Sequence, residues 1–272
     1  MDDVSDPRLG NGLAAEPSLL ERQAFYLTRQ QPCPYLPGRQ ERKIIARLDE
    51  PATPEERQQL QNQLSRAGFR RSHRIAYRPA CVGCMACTPV RIVVQGAVEG
   101  RSARRLRRVN SDLYAQFTPP RVTDEQFALF ERYQQTRHTE SDMALMAAAD
   151  YRSMVEETPV ATNLLILRHR TGTLMGAMLI DQLDDGLSAI YSFFETAEPK
   201  RSLGTWMVHL LIEAARMHGL PYVYLGFYIE ESAKMNYKRR FHPLETLGPQ
   251  GWQRLETTAD PGSTDPGLGD TA

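Results

Sequence analysis

The sequence lacks the features that most quickly assign a chain to a membrane, to secretion or to nucleic acid. Its 33 basic and 33 acidic residues balance, so net charge does not indicate a nucleic-acid-binding protein. No apolar run approaches the roughly 20 residues that a membrane-spanning helix requires. The first residues, Met1-Asp2-Asp3, are acidic where a signal peptide would be basic. A cytoplasmic protein is therefore expected.

Cysteine is also scarce, with four residues in 272, which disfavours a disulfide framework. Cys81, Cys84 and Cys87 have CxxCxxC spacing, and Cys33 lies upstream in a proline-rich segment. Thiols at this spacing in a turn can converge on one soft metal ion or cluster. The four cysteines are therefore candidate ligands of zinc or of an iron–sulfur cluster. The alternative is four reduced thiols that pack as small apolar side chains.

The remaining composition, 41% hydrophobic and 24% charged, is that of a globular protein with one large or two smaller domains. Residues 1–20 and 254–272 are rich in Gly, Pro and Asp and are predicted to be disordered. Pro119-Pro120 provides a boundary between two units. We expect an α+β domain at 21–118, with the cysteines and a basic region, and a second domain at 119–253.

One segment has a strong local excess of positive charge. From Arg66 to Arg108, eleven arginines face a single acidic residue, Glu99. Such an excess attracts phosphates even on a neutral protein, and the planar guanidinium suits bidentate phosphate contacts. The alternative is a solvated surface whose arginines pair with acids elsewhere in the chain.

Helix and strand signals in the first half predict a small α+β unit. Thr53-Pro54-Glu55-Glu56 is a capping box with proline at the first helical position, and this helix should end at Gly68. Strands are expected at residues 69–78 and 89–94.

The second half predicts an α/β sandwich of the acetyltransferase type. A capping box from Thr123 to Gln126 begins a helix. Three apolar runs separated by turn signals then indicate an antiparallel meander. They cover residues 163–168, 174–181 and 187–194. A helix that begins at residues 202–205 and a strand at 221–229 complete the pattern.

The start of that last helix is a candidate transfer site. Free backbone N–H groups and the helix dipole at Ser202 to Thr205 suit a phosphate or an oxyanion, although Ser and Gly begin many helices for capping reasons alone. The acyl-CoA signature, Arg or Gln followed by xxGxG or xxGxA, is absent, and this disfavours acetyl-CoA as donor.

Six segments, taken in order, resemble the bacterial aspartate/glutamate leucyltransferases, which are relatives of the eukaryotic arginyl-tRNA–protein transferases. They are CPYLPG at 33–38, GFRRS at 68–72, YRPAC at 77–81, SLGT at 202–205, LPYVYLG at 220–226 and KMNYKRRFHP at 234–243. The resemblance implies transfer of leucine from leucyl-tRNA to proteins with N-terminal Asp or Glu, which marks them for degradation through the N-degron pathway. It also implies an acetyltransferase-like fold for the C-terminal half.

An aminoacyl ester is already activated, so this transfer would need no ATP, no covalent enzyme intermediate and no cofactor. Three alternatives stay open: an arginyl-tRNA donor, a CoA-dependent N-acetyltransferase, and a non-enzymatic metal or redox sensor that binds RNA.

The resemblance and the chemistry together suggest residue roles. Candidates for proton removal, amine orientation or oxyanion stabilisation are Asp181, Tyr191, Glu195, Ser202, Gly204 and Tyr237. Candidate cations for the acidic acceptor are Arg74, Arg78, Lys234 and Lys238. Candidate contacts to tRNA are Arg104, Arg105, Arg107 and Arg108. Against these roles, acids at strand ends are often surface residues and tyrosines in strands often belong to the core.

Overall fold

The structure is a computed structural model that describes residues 18–139 and 141–256. The α-helices in these ranges are α1 Leu19–Arg22, α2 Pro54–Arg66, α3 Arg101–Val109, α4 Asp124–Arg137, α5 Ala148–Glu156 and α6 Leu203–Met217. The first seven strands are β1 Phe25–Leu27, β2 Gln31–Pro32, β3 Gln40–Glu41, β4 Lys43–Arg47, β5 Arg70–Ser72, β6 Ile75–Pro79 and β7 Thr88–Val93. They are followed by β8 Leu113–Thr118, β9 Thr162–His169, β10 Leu174–Leu183, β11 Gly186–Phe194, β12 Tyr222–Tyr228, β13 Leu244–Gly248 and β14 Gly251–Arg254.

The two segments predicted to be disordered fall largely outside the described residues. Where they are described, they carry regular structure. Ser18 caps α1 with a hydrogen-bonded capping box that Glu21 completes. At the other end, Arg254 is the last residue of β14.

A small antiparallel sheet with the strand order β1-β4-β6-β5 forms the first unit. Helix α2 begins at the predicted capping box of Thr53 and Glu56 and packs Leu60 and Leu64 into the core of this unit. The single strand predicted at 69–78 is wrong. The chain turns at His73, whose φ is 52°, and the segment becomes the hairpin of β5 and β6.

The second sheet has eight strands in the order β14-β13-β7-β12-β11-β10-β9-β8. The predicted meander is confirmed as β9, β10 and β11. The sheet also takes β7 and β8 from the N-terminal side of residue 118, so it includes strands from both sides of the predicted domain boundary.

Helices cover both faces of this sheet. Alternate residues of β10 point to opposite faces, as expected for a strand buried on both sides. Met178 and Ile180 pack with α6 and α3, whereas Ala177 and Leu179 pack with α4 and α5. The predicted acetyltransferase-like α/β sandwich is confirmed. None of the described helices combines the length and the apolar character needed to cross a bilayer.

The central strands β11 and β12 pair only at their beginnings. Gly186–Ser188 lie beside Tyr222–Tyr224 in parallel, and no later residues of the two strands pair with each other. Each strand has a bulge where the two separate, because Ile190 and Leu225 lack partners in their outer neighbours β10 and β7. A gap therefore opens between two strands in the middle of the sheet.

Candidate functional site

The side chain of Arg70, from the small sheet, enters the gap between β11 and β12. Its Nη2 donates to the carbonyl oxygen of the bulged Ile190. On the other side, Gly226 has φ +73°, and a Cβ atom there would overlap Arg70 Nη1. Glycine at this position therefore allows both the positive φ and the close approach of the guanidinium.

Lys238 binds β12, the other strand that borders the gap. It is only 3% exposed, and its Nζ donates to the carbonyl oxygen of Phe227. Phe227 lies opposite Pro89 of β7, which has no N–H to offer that carbonyl. Burial, followed by the charge of Arg70, holds the pKa of Lys238 well below its usual value. Lys238 was predicted to bind substrate, and the structure places it beneath the surface instead.

Aromatic side chains line the gap beyond Arg70. Gln134 of α4 donates to the hydroxyl of Tyr191, and Tyr133 packs on Phe194 with a centroid distance of 5.0 Å. Burial raises the pKa of Tyr133 to about 12. Desolvation raises the pKa of Tyr191 and of Tyr237, and the charge of Arg70 acts against that shift at both. These phenols are therefore protonated at neutral pH and can donate hydrogen bonds.

The N-terminus of α6 lies where β11 ends. Ser202 is left-handed with φ 46° and makes no side-chain cap, and the N–H groups of Leu203, Gly204 and Thr205 have no acceptor within the described residues. A Cβ atom at Gly204 would lie 2.8 Å from Phe194 Cε1, so this position requires glycine. Ser202 and Gly204 are thus placed beside Phe194 at the end of β11, where the first turn of α6 provides free N–H donors.

The two predicted carboxylates lie in different surroundings. Asp181 is fully buried and binds Arg71 of β5 through two contacts, Oδ2 to Nε at 2.6 Å and Oδ1 to Nη2 at 2.7 Å. Thr162 also donates to this carboxylate, at 2.9 Å. The structure therefore places Asp181 at the junction of the two sheets and not in the gap. Glu195 accepts from the backbone N–H groups of Thr196 and Ala197 at 2.8 and 3.0 Å.

Two of the predicted acceptor-binding cations have partners outside the strands that border the gap. Arg74 pairs with Glu157 at 2.9 Å, and both side chains are more than half exposed. Arg78 donates to the carbonyl oxygen of Ala67 at 3.1 Å. Lys234 is exposed and lies close enough to His138 to help lower the pKa of that histidine, after burial.

Arg70 was missed as a site residue. In the sequence it is one of eleven arginines in a single basic segment, and only the GFRRS motif at 68–72 distinguished it.

The basic segment supplies a helix that the sequence patterns had not predicted. Helix α3 buries Ala103 and Leu106, and its arginines face solvent. Arg104, Arg105 and Arg108 form no ion pair with any described residue, whereas Arg107 pairs with Glu99 at 2.7 Å and also with Glu213. The outer face of α3 is therefore a positively charged surface.

All four cysteines line one cavity together with Tyr35, Tyr77 and Phe227. Burial and then the other three thiols raise the pKa of Cys87 to about 12. The predicted convergence of Cys33 with the CxxCxxC loop is therefore present. Among residues 18–139 and 141–256, however, no three Cys, His, Asp or Glu side chains have an arrangement that would hold a metal ion. The zinc or iron–sulfur site stays a prediction.

Comparison with known proteins matches both halves of the chain. The family described as "Arginine-tRNA-protein transferase, N terminus" matches residues 31–105, and "Arginine-tRNA-protein transferase, C terminus" matches 125–248. Among solved structures, a C-terminal domain of a putative lysylphosphatidylglycerol synthetase from Agrobacterium fabrum aligns at 15% identity and TM-score 0.41, covering 61% of this chain and 50% of that one. FemX aligns at 9% identity and TM-score 0.39, covering 62% and 59%.

Curated relatives are much more similar in sequence. The aspartate/glutamate leucyltransferase of Rhodospirillum rubrum is 51% identical over 239 residues, which are 88% of this chain and 96% of the relative. The protein of the same name from Parvibaculum lavamentivorans is 53% identical over 231 residues, covering 84% and 93%. With such identity over nearly the full length of these relatives, the chain belongs to the aspartate/glutamate leucyltransferase family.

Proposed function

We propose that this protein is an aminoacyl-tRNA–protein transferase that moves leucine from leucyl-tRNA to the N-terminal α-amine of proteins beginning with Asp or Glu. The observation that carries the proposal is 51% identity over 96% of a relative named for this activity. The gap between β11 and β12, with its free donors, is the proposed reaction site.

The reaction exchanges an ester for an amide. The acceptor nitrogen forms a bond to the leucyl carbonyl carbon, the ester bond to the ribose oxygen breaks, and the proton lost by the amine is balanced by the one gained at the ribose hydroxyl. An N-terminal amine has a pKa near ~7.7 to 8.0, so an appreciable fraction is already neutral at pH 7. Positioning of the amine and stabilisation of the oxyanion are therefore the main tasks of the protein.

The oxyanion is assigned to the first turn of α6. Its free N–H groups at Leu203, Gly204 and Thr205 are fixed in position before substrate binds. The hydroxyls of Tyr191 and Tyr237 are additional donors, because their raised pKa keeps them protonated. Gln134 fixes the Tyr191 hydroxyl, so this donor is held in place from α4.

The tRNA is assigned to the exposed face of α3. Its unpaired arginines match the phosphates of an acceptor stem, which proteins recognise mainly through backbone and shape. Leucine at the new N-terminus is a destabilising residue, so the product is a substrate for N-degron degradation. The cytoplasm, where aminoacyl-tRNA is made, is the proposed location.

The cysteine cavity is assigned no step in the transfer. A zinc ion or an iron–sulfur cluster at Cys33, Cys81, Cys84 and Cys87 would be structural or regulatory. Metal analysis and an ultraviolet–visible spectrum of protein purified without oxygen test this assignment. About one zinc per chain, or a cluster absorption band, supports a metal site. The absence of both signals contradicts it.

The decisive experiment measures transfer of labelled amino acid from leucyl-tRNA and, in parallel, from arginyl-tRNA. The acceptor peptides differ only in beginning with Asp, Glu, Lys or Ala. Leucine on the Asp and Glu peptides alone is the expected result. Transfer of arginine to the same peptides would mean that arginyl-tRNA is the donor. If neither tRNA serves and labelled acetyl-CoA does, the protein is an acetyltransferase. A metal-loaded protein that binds RNA and transfers nothing would be a sensor.

A further inference from the structure

We propose that Arg70 is the residue that selects the acidic side chain of the acceptor, by binding its carboxylate in the gap between β11 and β12. This inference rests on the proposed function. It assigns the specificity for Asp and Glu to a residue of the small sheet, which reaches the transfer site from outside the eight-stranded sheet.

The first argument is that Arg70 lacks an acidic partner. The buried arginines of the described chain are neutralised: Arg71 by Asp181 at 2.6 Å and Arg91 by Glu245 at 2.8 Å. Arg70 forms no ion pair with any residue in 18–139 or 141–256, and one carbonyl, that of Ile190, accepts from it there. A guanidinium has five N–H donors, so most of them remain available. A partly buried cation without a counterion is stabilised by an anionic ligand.

The second argument is its location beside the proposed reacting groups. Arg70 donates to the carbonyl oxygen of Ile190, the residue next to Tyr191, and its charge acts on Tyr191 and Tyr237, which are assigned as additional oxyanion donors. Asp and Glu carry their carboxylate only two or three bonds beyond the Cα that bears the reacting amine. A cation that binds this carboxylate must therefore lie close to the reacting groups, and Arg70 lies beside Tyr191.

The third argument is that the other cations fit less well. Arg74 is paired with Glu157, and Arg78 donates to the carbonyl oxygen of Ala67. The ammonium of Lys238 is buried and donates a hydrogen bond to the carbonyl oxygen of Phe227. Lys234 is exposed, so water screens its charge. Arg70 also has the forked geometry that matches a carboxylate.

The same guanidinium could in principle bind a tRNA phosphate, and the experiment separates the two ligands. The kcat/KM is measured for four peptides that differ only in an N-terminal Asp, Asn, Glu or Gln, and the KM is measured for leucyl-tRNA. The variants are Arg70→Met and Arg70→Lys. The control is Arg47→Met, which removes an exposed arginine from the same small sheet, where it pairs with Asp49 at 3.2 Å.

In Arg70→Met, the preference for Asp over Asn should fall by about 10- to 100-fold, the range for a charge-assisted hydrogen bond, with the KM for leucyl-tRNA unchanged. Arg70→Lys keeps the charge and should lose less of the preference. Arg47→Met should keep the wild-type preference. If Arg70→Met does not fold, the Asp/Asn preference of Arg70→Lys decides. A wild-type preference in Arg70→Lys would then overturn the inference.

Two other results would also overturn the inference. Equal loss of rate on Asp and Asn peptides would mean that Arg70 is structural, and a raised KM for leucyl-tRNA with the preference intact would mean a phosphate ligand. If the wild-type protein transfers nothing, the proposed function fails. In that case, titration of the protein with Asp and Asn peptides still tests Arg70, because binding needs no transfer, and equal affinities would reject it.

Discussion

Arg70 and Lys238 bind backbone carbonyls of β11 and β12, the two strands that separate. Arg70 donates to Ile190 of β11 and Lys238 donates to Phe227 of β12. The Ile190 carbonyl lies at the bulge of β11, and the Phe227 carbonyl lies on β12 opposite Pro89, which has no N–H to donate. A buried carbonyl without a donor would be unfavourable, so the two side chains supply donors where the strands beside them do not.

Gly226→Ala tests whether the position of Arg70 depends on the absence of a side chain at residue 226 of β12. The added methyl group would overlap Arg70 Nη1 and displace the guanidinium. The residue must also keep a positive φ, which costs about 1–2 kcal/mol for a residue with a Cβ. We expect reduced stability to urea and a reduced Asp/Asn preference in the peptide assay.

Gly172→Ala is the matched control for this variant. Gly172 has φ +96° and no atom within 4 Å of an added Cβ, so the substitution carries the conformational strain without the overlap. It should lower stability and leave the Asp/Asn preference at the wild-type value. An equal change of preference in both variants would argue against a role for the Arg70 position.

The elements that could be predicted are those with local signals. Capping boxes at Thr53 and Thr123 identified α2 and α4, and turn residues between apolar runs identified the meander. The place of β7 in the sheet could not be predicted, because its pairing with β12 joins distant segments that share no local pattern. Helix α3 lacks a broad apolar stripe, so its arginines indicated only a charged segment.

The site shows the same limit more clearly. Ser202 and Gly204 were found from the sequence because a helix N-terminus has a local signature. Asp181 was a candidate for proton removal or amine orientation because it lies near a strand end, but in the structure it is buried and paired with Arg71 of the other sheet. Arg70 can bind a ligand because no acidic residue of the described chain pairs with it. Which residues surround a side chain in space cannot be read from the sequence.

Asp181→Asn separates a structural from a catalytic role for this carboxylate. Breaking a fully buried ion pair leaves Arg71 without compensation, and we expect a loss of about 3–5 kcal/mol in the free energy of unfolding, measured in urea. The folded fraction should keep the wild-type kcat. Arg71→Met should destabilise to a similar degree. A large loss of kcat in Asp181→Asn without a change in stability would restore the catalytic role suggested by the sequence.

Replacing Arg104, Arg105 and Arg108 together with alanine should raise the KM for leucyl-tRNA and reduce its dependence on salt. Each lost phosphate contact should lower the slope of log affinity against log salt by about 0.7 to 0.9. Arg107→Ala should change the slope less, since Arg107 already pairs with Glu99 and Glu213. An unchanged slope in the triple variant would reject α3 as the tRNA-binding surface.

Stability should fall as the pH drops below about 6.5, and His209 should contribute to this change. Its ring packs against Phe241 with a centroid distance of 5.5 Å, and burial lowers its pKa, although Glu213 and Glu99 act in the opposite direction. The unfolded imidazole binds a proton near pH ~6.5 and the folded one only at lower pH, so protonation favours the unfolded state in this window.

His209→Gln removes the titrating ring and should therefore flatten the fall in stability between about pH 7 and pH 5, measured by urea unfolding at each pH. His73, His138 and His242 have pKa values lowered by burial too, so part of the slope should remain. The control is His218→Gln, which removes an exposed imidazole at the end of the same helix and leaves the buried ring of His209 in place. An identical slope in wild type and His209→Gln would mean that burial of this ring does not couple protonation to folding.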